Sequence, residues 1–218
     1  MIQTTRILNS PFLGVYMRTW ENYTLIPSNM DRDVKSLVSE SLKTEIIEMT
    51  VGGSKLLGSL SVMNSNGIIF SSIVEGSELP KMPDDLNVAV IKDKLNAVGN
   101  NILANNRAAL VHQEFRNESI RLIQDTLGIE VMRGMFGSVK TVGSCGLVTT
   151  TGLVLPPNMS DEEIDELGKF FGVKGRVGTA NFGSIYIGAS VVSNSKGALI
   201  GEDSTTVEIS NLEEALNL

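Results

Sequence analysis

VGGSKLLGSLSVMNSNGIIF, residues 51–70, carries a pattern that returns, sharp or blurred, four more times in 218 residues. With Gly58 as the origin, Asn64 stands six residues on, Gly67 nine on, and the apolar pair Ile69 and Phe70 eleven and twelve on. The same ladder runs from Gly99 (Asn105, Ala108, Leu110, Val111), from Gly143 (Thr149, Gly152, Val154, Leu155) and from Gly188 (Asn194, Gly197, Leu199, Ile200). A blurred copy starts at Gly14, with Trp20, Tyr23, Leu25 and Ile26. Successive anchors lie 44, 41, 44 and 45 residues apart. A unit of this size cannot bury a core alone, so neighbouring units must cover one another.

Each copy reads as a short strand, a turn such as Asn64-Ser65-Asn66-Gly67, and a second strand ending at the apolar pair. Asn and Gly suit such turns because both tolerate positive φ. A helix and a third strand follow. Val34, Leu37, Val38 and Leu42 have helical spacing within 29–42, as do Ile120, Ile123 and Leu127 within 117–127, where Asn117 is the expected N-cap. Ser160-Asp161-Glu162-Glu163 has the form of a capping box. Unit two is poor helix material because of Pro80, so a short or distorted helix is expected there. In unit five, 205–210 reads as extended and 211–218 as a terminal helix. Third strands are expected at 44–50, 87–91, 129–133 and 174–179.

Met1 to Leu8 reads as a strand with no unit before it. Its natural place is as the missing third strand of unit five, which closes the ring and removes two sheet edges. The fold class is therefore α/β, a five-bladed pseudo-fivefold propeller whose units run strand-strand-helix-strand. It is expected to form one domain over 1–218, with units at about 9–50, 51–94, 95–136, 137–180 and 181–218, closed by 1–8. After each glycine, positions one and three are smaller and more polar than two and four, as a crowded axis would require; Arg18 breaks this rule.

Composition removes several classes of function. One cysteine, Cys145, excludes an internal disulfide framework and agrees with a reducing cytosol. With one Cys and one His, a Cys/His zinc site is excluded by arithmetic. A net charge of −7 disfavours a general nucleic-acid binder and is easier to reconcile with a basic protein partner, although its first effect is solubility. No apolar run has the length of a membrane span, and residues 1–18 lack the order of a signal peptide.

Several segments together resemble one family. Val51-Gly52-Gly53-Ser54 with Leu57-Gly58-Ser59-Leu60, Val98-Gly99-Asn100, Ala109-Leu110-Val111-His112, Gly178-Thr179-Ala180-Asn181-Phe182-Gly183 and Asp203-Ser204-Thr205-Thr206 are similar to translation initiation factor 6, in its archaeal form without a long C-terminal tail. Gln113 departs from the proline that many relatives carry after the histidine. The resemblance implies the pentein fold, with helices outside and a narrow channel. It implies a cytoplasmic ribosome anti-association factor that needs no cofactor or metal. Such a factor acts as a monomer on the large (50S) ribosomal subunit and sterically prevents joining of the small (30S) subunit, with a possible part in subunit maturation. Its partner would be chiefly a ribosomal protein of the joining face, with rRNA nearby and no membrane.

Penteins also include enzymes that act on guanidino groups through Cys and His, which makes Cys145 and His112 the alternative site. The row Leu60, Val62, Leu147 marks Cys145 instead as a small core residue, so no catalytic residue is assigned. For a ribosome contact the end of the ring that bears the glycines is favoured. Asn100 leads there, with Lys55, Ser59, Asn101 and His112 around it. Trp20 and Tyr23 read equally well as an exposed anchor and as packing.

Overall fold

The computed structural model describes all 218 residues and contains five three-stranded sheets. In each, a short inner strand pairs antiparallel with a middle strand, and the middle strand pairs parallel with an outer one. In unit two these are Ser61–Met63, Gly67–Ser71 and Asn87–Ile91. In unit five they are Val191–Asn194, Gly197–Gly201 and the N-terminal strand Ile2–Thr5, which pairs parallel with register Ile2 to Ala198. The first strand of the chain thus completes the last unit.

The anchor glycines close a ring. A Cβ at Gly58 would lie 1.8 Å from the Gly14 carbonyl oxygen, one at Gly99 1.8 Å from that of Gly58, and one at Gly143 2.2 Å from that of Gly99. The cycle continues from Gly188 onto Gly143, at 2.3 Å, and from Gly14 back onto Gly188, at 2.0 Å. Backbone of one unit lies directly on the α-carbon of the next, which no other residue type permits.

These glycines do not begin strands. Each sits in a four-residue helical turn, Leu13–Tyr16, Leu57–Leu60, Val98–Asn101, Val142–Cys145 and Ile187–Ser190. The expected alternation about the axis therefore fails. Inner strands instead divide their side chains between the flanking cores: Ile102 and Ala104 join Val62 and Ile69 of unit two, whereas Leu103 joins Val148 and Leu153 of unit four. There are five such clusters, each shared by two consecutive units, and the fifth unites Val192 and Leu199 with Ile7, Leu13 and Ile26.

The position six residues past the glycine joins units as well as turning the chain. The Asn64 Oδ1 accepts from the N–H groups of Asn66 (2.9 Å) and Gly67 (3.1 Å), while its Nδ2 donates to the carbonyls of Asn105 (3.2 Å) and Leu127 (2.8 Å) in unit three. Asn105 and Asn194 repeat the arrangement, donating to Phe171 (3.0 Å) and Leu42 (2.8 Å). None of Asn64 to Gly67 has positive φ. Asn serves here through its side chain. Gly67 is required by a close approach, since a Cβ there would lie 2.5 Å from the Thr126 carbonyl oxygen.

Long helices occupy Arg32–Leu42, Asn117–Leu127, Asp161–Phe171 and Thr206–Leu216, and unit two has only the 3₁₀ turn Leu79–Lys81, as Pro80 dictates. The Ser160/Glu163 capping box forms, and the cap before Asn117 is Arg116. The extended reading of 205–210 is overturned. Thr205 and Glu208 make a second capping box and the helix begins at Thr206. Trp20 is buried, with its Nε1 donating to Ser65 Oγ at 2.9 Å.

Arg18 lies on the axis and lines a cavity of about 40 Å³. Its Nη2 donates to the carbonyls of Gly58 and Gly99, so one cation serves two of the five carbonyl oxygens of the ring. Burial pulls its pKa down to about 10, which leaves it charged at neutral pH.

Candidate functional site

Middle and outer strands run parallel, and the helical turns adjoin the start of the inner strands. The ring glycines, the ends of the middle strands and the loops after the outer strands therefore share one end, and the hairpin turns occupy the other. Lys55, Ser59, Asn100, Asn101 and His112 all fall at the glycine end.

They are not equally available there. Lys55 is exposed. Ser59 is buried, and Asn101 is buried with its Nδ2 donating to the Ala97 carbonyl at 2.8 Å, which ties it to its own turn. Asn100 differs. It is half-buried, its backbone N–H donates to Ala97 at 3.0 Å, and its carboxamide makes no hydrogen bond within the protein. The equivalent Ser144 hydroxyl instead donates to the Thr141 carbonyl at 2.8 Å.

His112 ends the middle strand Ala108–His112, and its Nδ1 accepts from the Glu114 N–H at 3.1 Å. Burial lowers its pKa, with Glu114 opposing, so the neutral ring carries its proton on Nε2. That N–H has no partner within the protein. Beside it Glu114 bridges Lys140 (3.0 Å) and Lys94 (3.3 Å), which joins units two, three and four. Cys145 is fully buried among Leu103, Val142 and Phe171. Burial raises its thiol pKa against hydrogen bonds from Ser144 and Thr141, which is the opposite of what a nucleophile needs.

Three carboxylates that the sequence did not single out tie down the loops of this end. Glu78 accepts from the N–H groups of Gly52 (2.7 Å) and Gly53 (3.3 Å) and from Thr50 Oγ1 (2.6 Å). Glu208 does the same for Phe182 (3.2 Å), Gly183 (2.7 Å) and Thr179 Oγ1 (2.8 Å). Asp93 accepts from Ser119 Oγ (2.6 Å) and from the N–H groups of Arg116 (3.1 Å) and Leu95 (3.4 Å). Burial alone would raise the pKa of Asp93, but these donors outweigh it and hold the carboxyl at about 2, against an ordinary 3.8.

A depressed carboxylate stabilises the fold above its unfolded pKa and loses that contribution as pH falls through the folded value. At neutral pH Asp93 is expected to contribute roughly 2 kcal/mol, lost between about pH 4 and pH 2. Urea midpoints of wild type and Asp93→Asn across pH 2 to 6 check this. The wild-type advantage should shrink over that window, and a constant difference would refute the assignment.

No helix is long and apolar enough to cross a membrane. Residues 2–215 match the model of the eIF-6 family. The chain is 41% identical over 219 residues to Translation initiation factor 6 of Thermoplasma acidophilum and 40% identical over 217 residues to that of Picrophilus torridus, with the whole of each chain covered in both comparisons. It is 37% identical over 219 residues to the factor of Saccharolobus islandicus, covering 99% of this chain and 98% of the relative. Full-length identity of this order, on a ring whose five units the same residues build, settles the family: the chain belongs to the eIF-6 family of translation initiation factors.

Proposed function

We propose that this protein binds the large ribosomal subunit through the glycine end of its ring and keeps the small subunit from joining by occupying the space it needs. Family membership supports a role in initiation. The observation that carries the choice of face is Asn100, whose carboxamide has no internal partner although the turn that bears it is held by backbone on both sides. A rigid polar group with unmet donors and acceptors suits a partner's exposed backbone. His112, although buried like Ser59 and Asn101, adds a second donor without an internal partner, Nε2–H. The partner is chiefly a ribosomal protein, with rRNA within reach of the lysines at 55, 94 and 140. The factor acts in the cytoplasm as a monomer and performs no chemistry, with Cys145 serving only as core.

Co-sedimentation with purified large subunits tests this reading. Asn100→Asp keeps the volume and replaces the amide donor with a carboxylate oxygen. It should weaken binding by roughly fivefold to more than a hundredfold, since an unpaired interface group costs on the order of 1–3 kcal/mol. Asn22→Asp, the same change on an exposed hairpin turn at the opposite end, should bind as wild type does. Equal binding by Asn100→Asp with impaired binding by Asn22→Asp would place the contact at the other end of the ring.

A further inference from the structure

Phe182 is the most exposed large apolar side chain of the protein, at 83%, and it adopts φ +60. Bulky residues disfavour that conformation. The corresponding loop of unit two, one residue shorter, bonds its own carboxylate through Gly52 and Gly53, at φ +59 and +72. In unit five the backbone is pinned. Asn181 N–H donates to Ser204 Oγ (2.8 Å), Phe182 and Gly183 donate to Glu208, and the Asn181 side chain donates to the Pro11 carbonyl (2.9 Å). The ring is thus presented to solvent from a clamped, strained loop, with nothing of this chain covering it.

Its surroundings define what would cover it. Val207, beside the Glu208 that holds the Phe182 N–H, is 69% exposed; Tyr186, four residues on, is 45% exposed; and Leu8, three residues before the Pro11 carbonyl that holds Asn181, is 41% exposed. Arg6 pairs with both Glu202 and Asp203, two accessible carboxylates to one cation, which leaves this sector negative. Lys55, Lys94 and Lys140 lie in units two to four of the same end. Apolar and acidic character together repel a phosphate backbone and fit a protein surface.

We infer that Phe182 is a preorganised anchor that inserts into an apolar cleft with a basic rim on a protein of the large subunit, with Val207, Tyr186 and Leu8 as its flanks. This rests on the proposed docking of the glycine end and adds which sector meets protein. Rigid, fully desolvated aromatics at an interface centre carry much of the binding energy. Clamping the loop beforehand removes the entropy cost of ordering it on contact.

The test separates binding from folding. Phe182→Gly deletes the ring and relieves the positive φ, so its melting temperature should equal or exceed that of wild type while binding to large subunits falls about tenfold or more. If wild type itself does not co-sediment, the proposed function fails. If wild type binds and Phe182→Gly binds equally well, this inference alone is overturned. A benzoylphenylalanine at position 182, irradiated on the bound large subunit, should give a protease-sensitive crosslink. A nuclease-sensitive one would assign Phe182 to base stacking and overturn the inference, as would a free protein whose dimerisation is abolished by Phe182→Gly.

Discussion

Gly58→Ala is expected to lower the stability of the protein by about 3 kcal/mol or more, the severe end of what overpacking costs. The new methyl would lie 1.8 Å from the Gly14 carbonyl oxygen, 2.4 Å from that of Met17 and 2.8 Å from the Gly14 carbonyl carbon. All three are backbone, so no side-chain rotation relieves the overlap. Two units must move apart, and in a closed ring that displacement has to be absorbed by the other three. Gly76→Ala is the control. Gly76 is exposed with nothing within 4 Å of the added carbon, and its change should stay within about 0.5 kcal/mol. Urea unfolding of both variants against wild type decides the matter. A Gly58→Ala protein with the wild-type midpoint would show that the carbonyl-on-glycine contacts do not hold the ring.

Deletion of residues 1–8 should be comparably damaging. The strand Ile2–Thr5 pairs along its whole length with Ala198–Gly201, the middle strand of unit five. Without it that middle strand becomes an open edge of five consecutive buried residues, Gly197–Gly201. Ile7, 1% exposed, also leaves the cluster that joins units five and one. Removing one fully buried Ile side chain costs about 2–5 kcal/mol where the site cannot collapse, before any loss of strand pairing. An uncovered edge also invites association with other chains. Melting and size-exclusion chromatography of the truncated protein check both effects. A monomer that melts within about 2 °C of wild type would mean the ring is stable without its closing strand.

The two experiments probe the same property from opposite sides. Gly58→Ala forces units apart at the axis, and the deletion breaks the seam between last and first units at the rim. Five cores shared between neighbours leave no unit with a core of its own. Damage at one seam should therefore propagate, and loss of structure in each variant should be a single transition rather than a sequence of unit losses.

The amino-acid sequence by itself determined the number of units, the hairpins, the place of the N-terminal strand and the end of the ring at which Asn100 and His112 lie. Those follow from period and from strong local signals: Gly and Asn at fixed offsets, an apolar pair at each strand end, and the capping box at Ser160 and Glu163. Unit five shows the limit of such reading. Thr205-Thr206-Val207-Glu208 is a capping box by composition, yet it reads as extended because Thr and Val favour strands, and the helix is decided by Glu208 reaching both its own cap and the loop at Phe182.

Only the tertiary structure decided what the repeated residues are for. Gly58 looks like the start of a strand, but it is there to admit the Gly14 carbonyl from 44 residues earlier in the chain. Asn64 looks like a turn residue, and its Nδ2 is committed to Leu127, 63 residues away. Glu78 and Glu208 look like ordinary solvated carboxylates, and each is drawn into a loop more than 20 residues distant along the chain. The exposed ring of Phe182 is the same kind of fact. Hydrophobicity alone would have placed it in the core, whereas the clamp on its backbone holds it out in water.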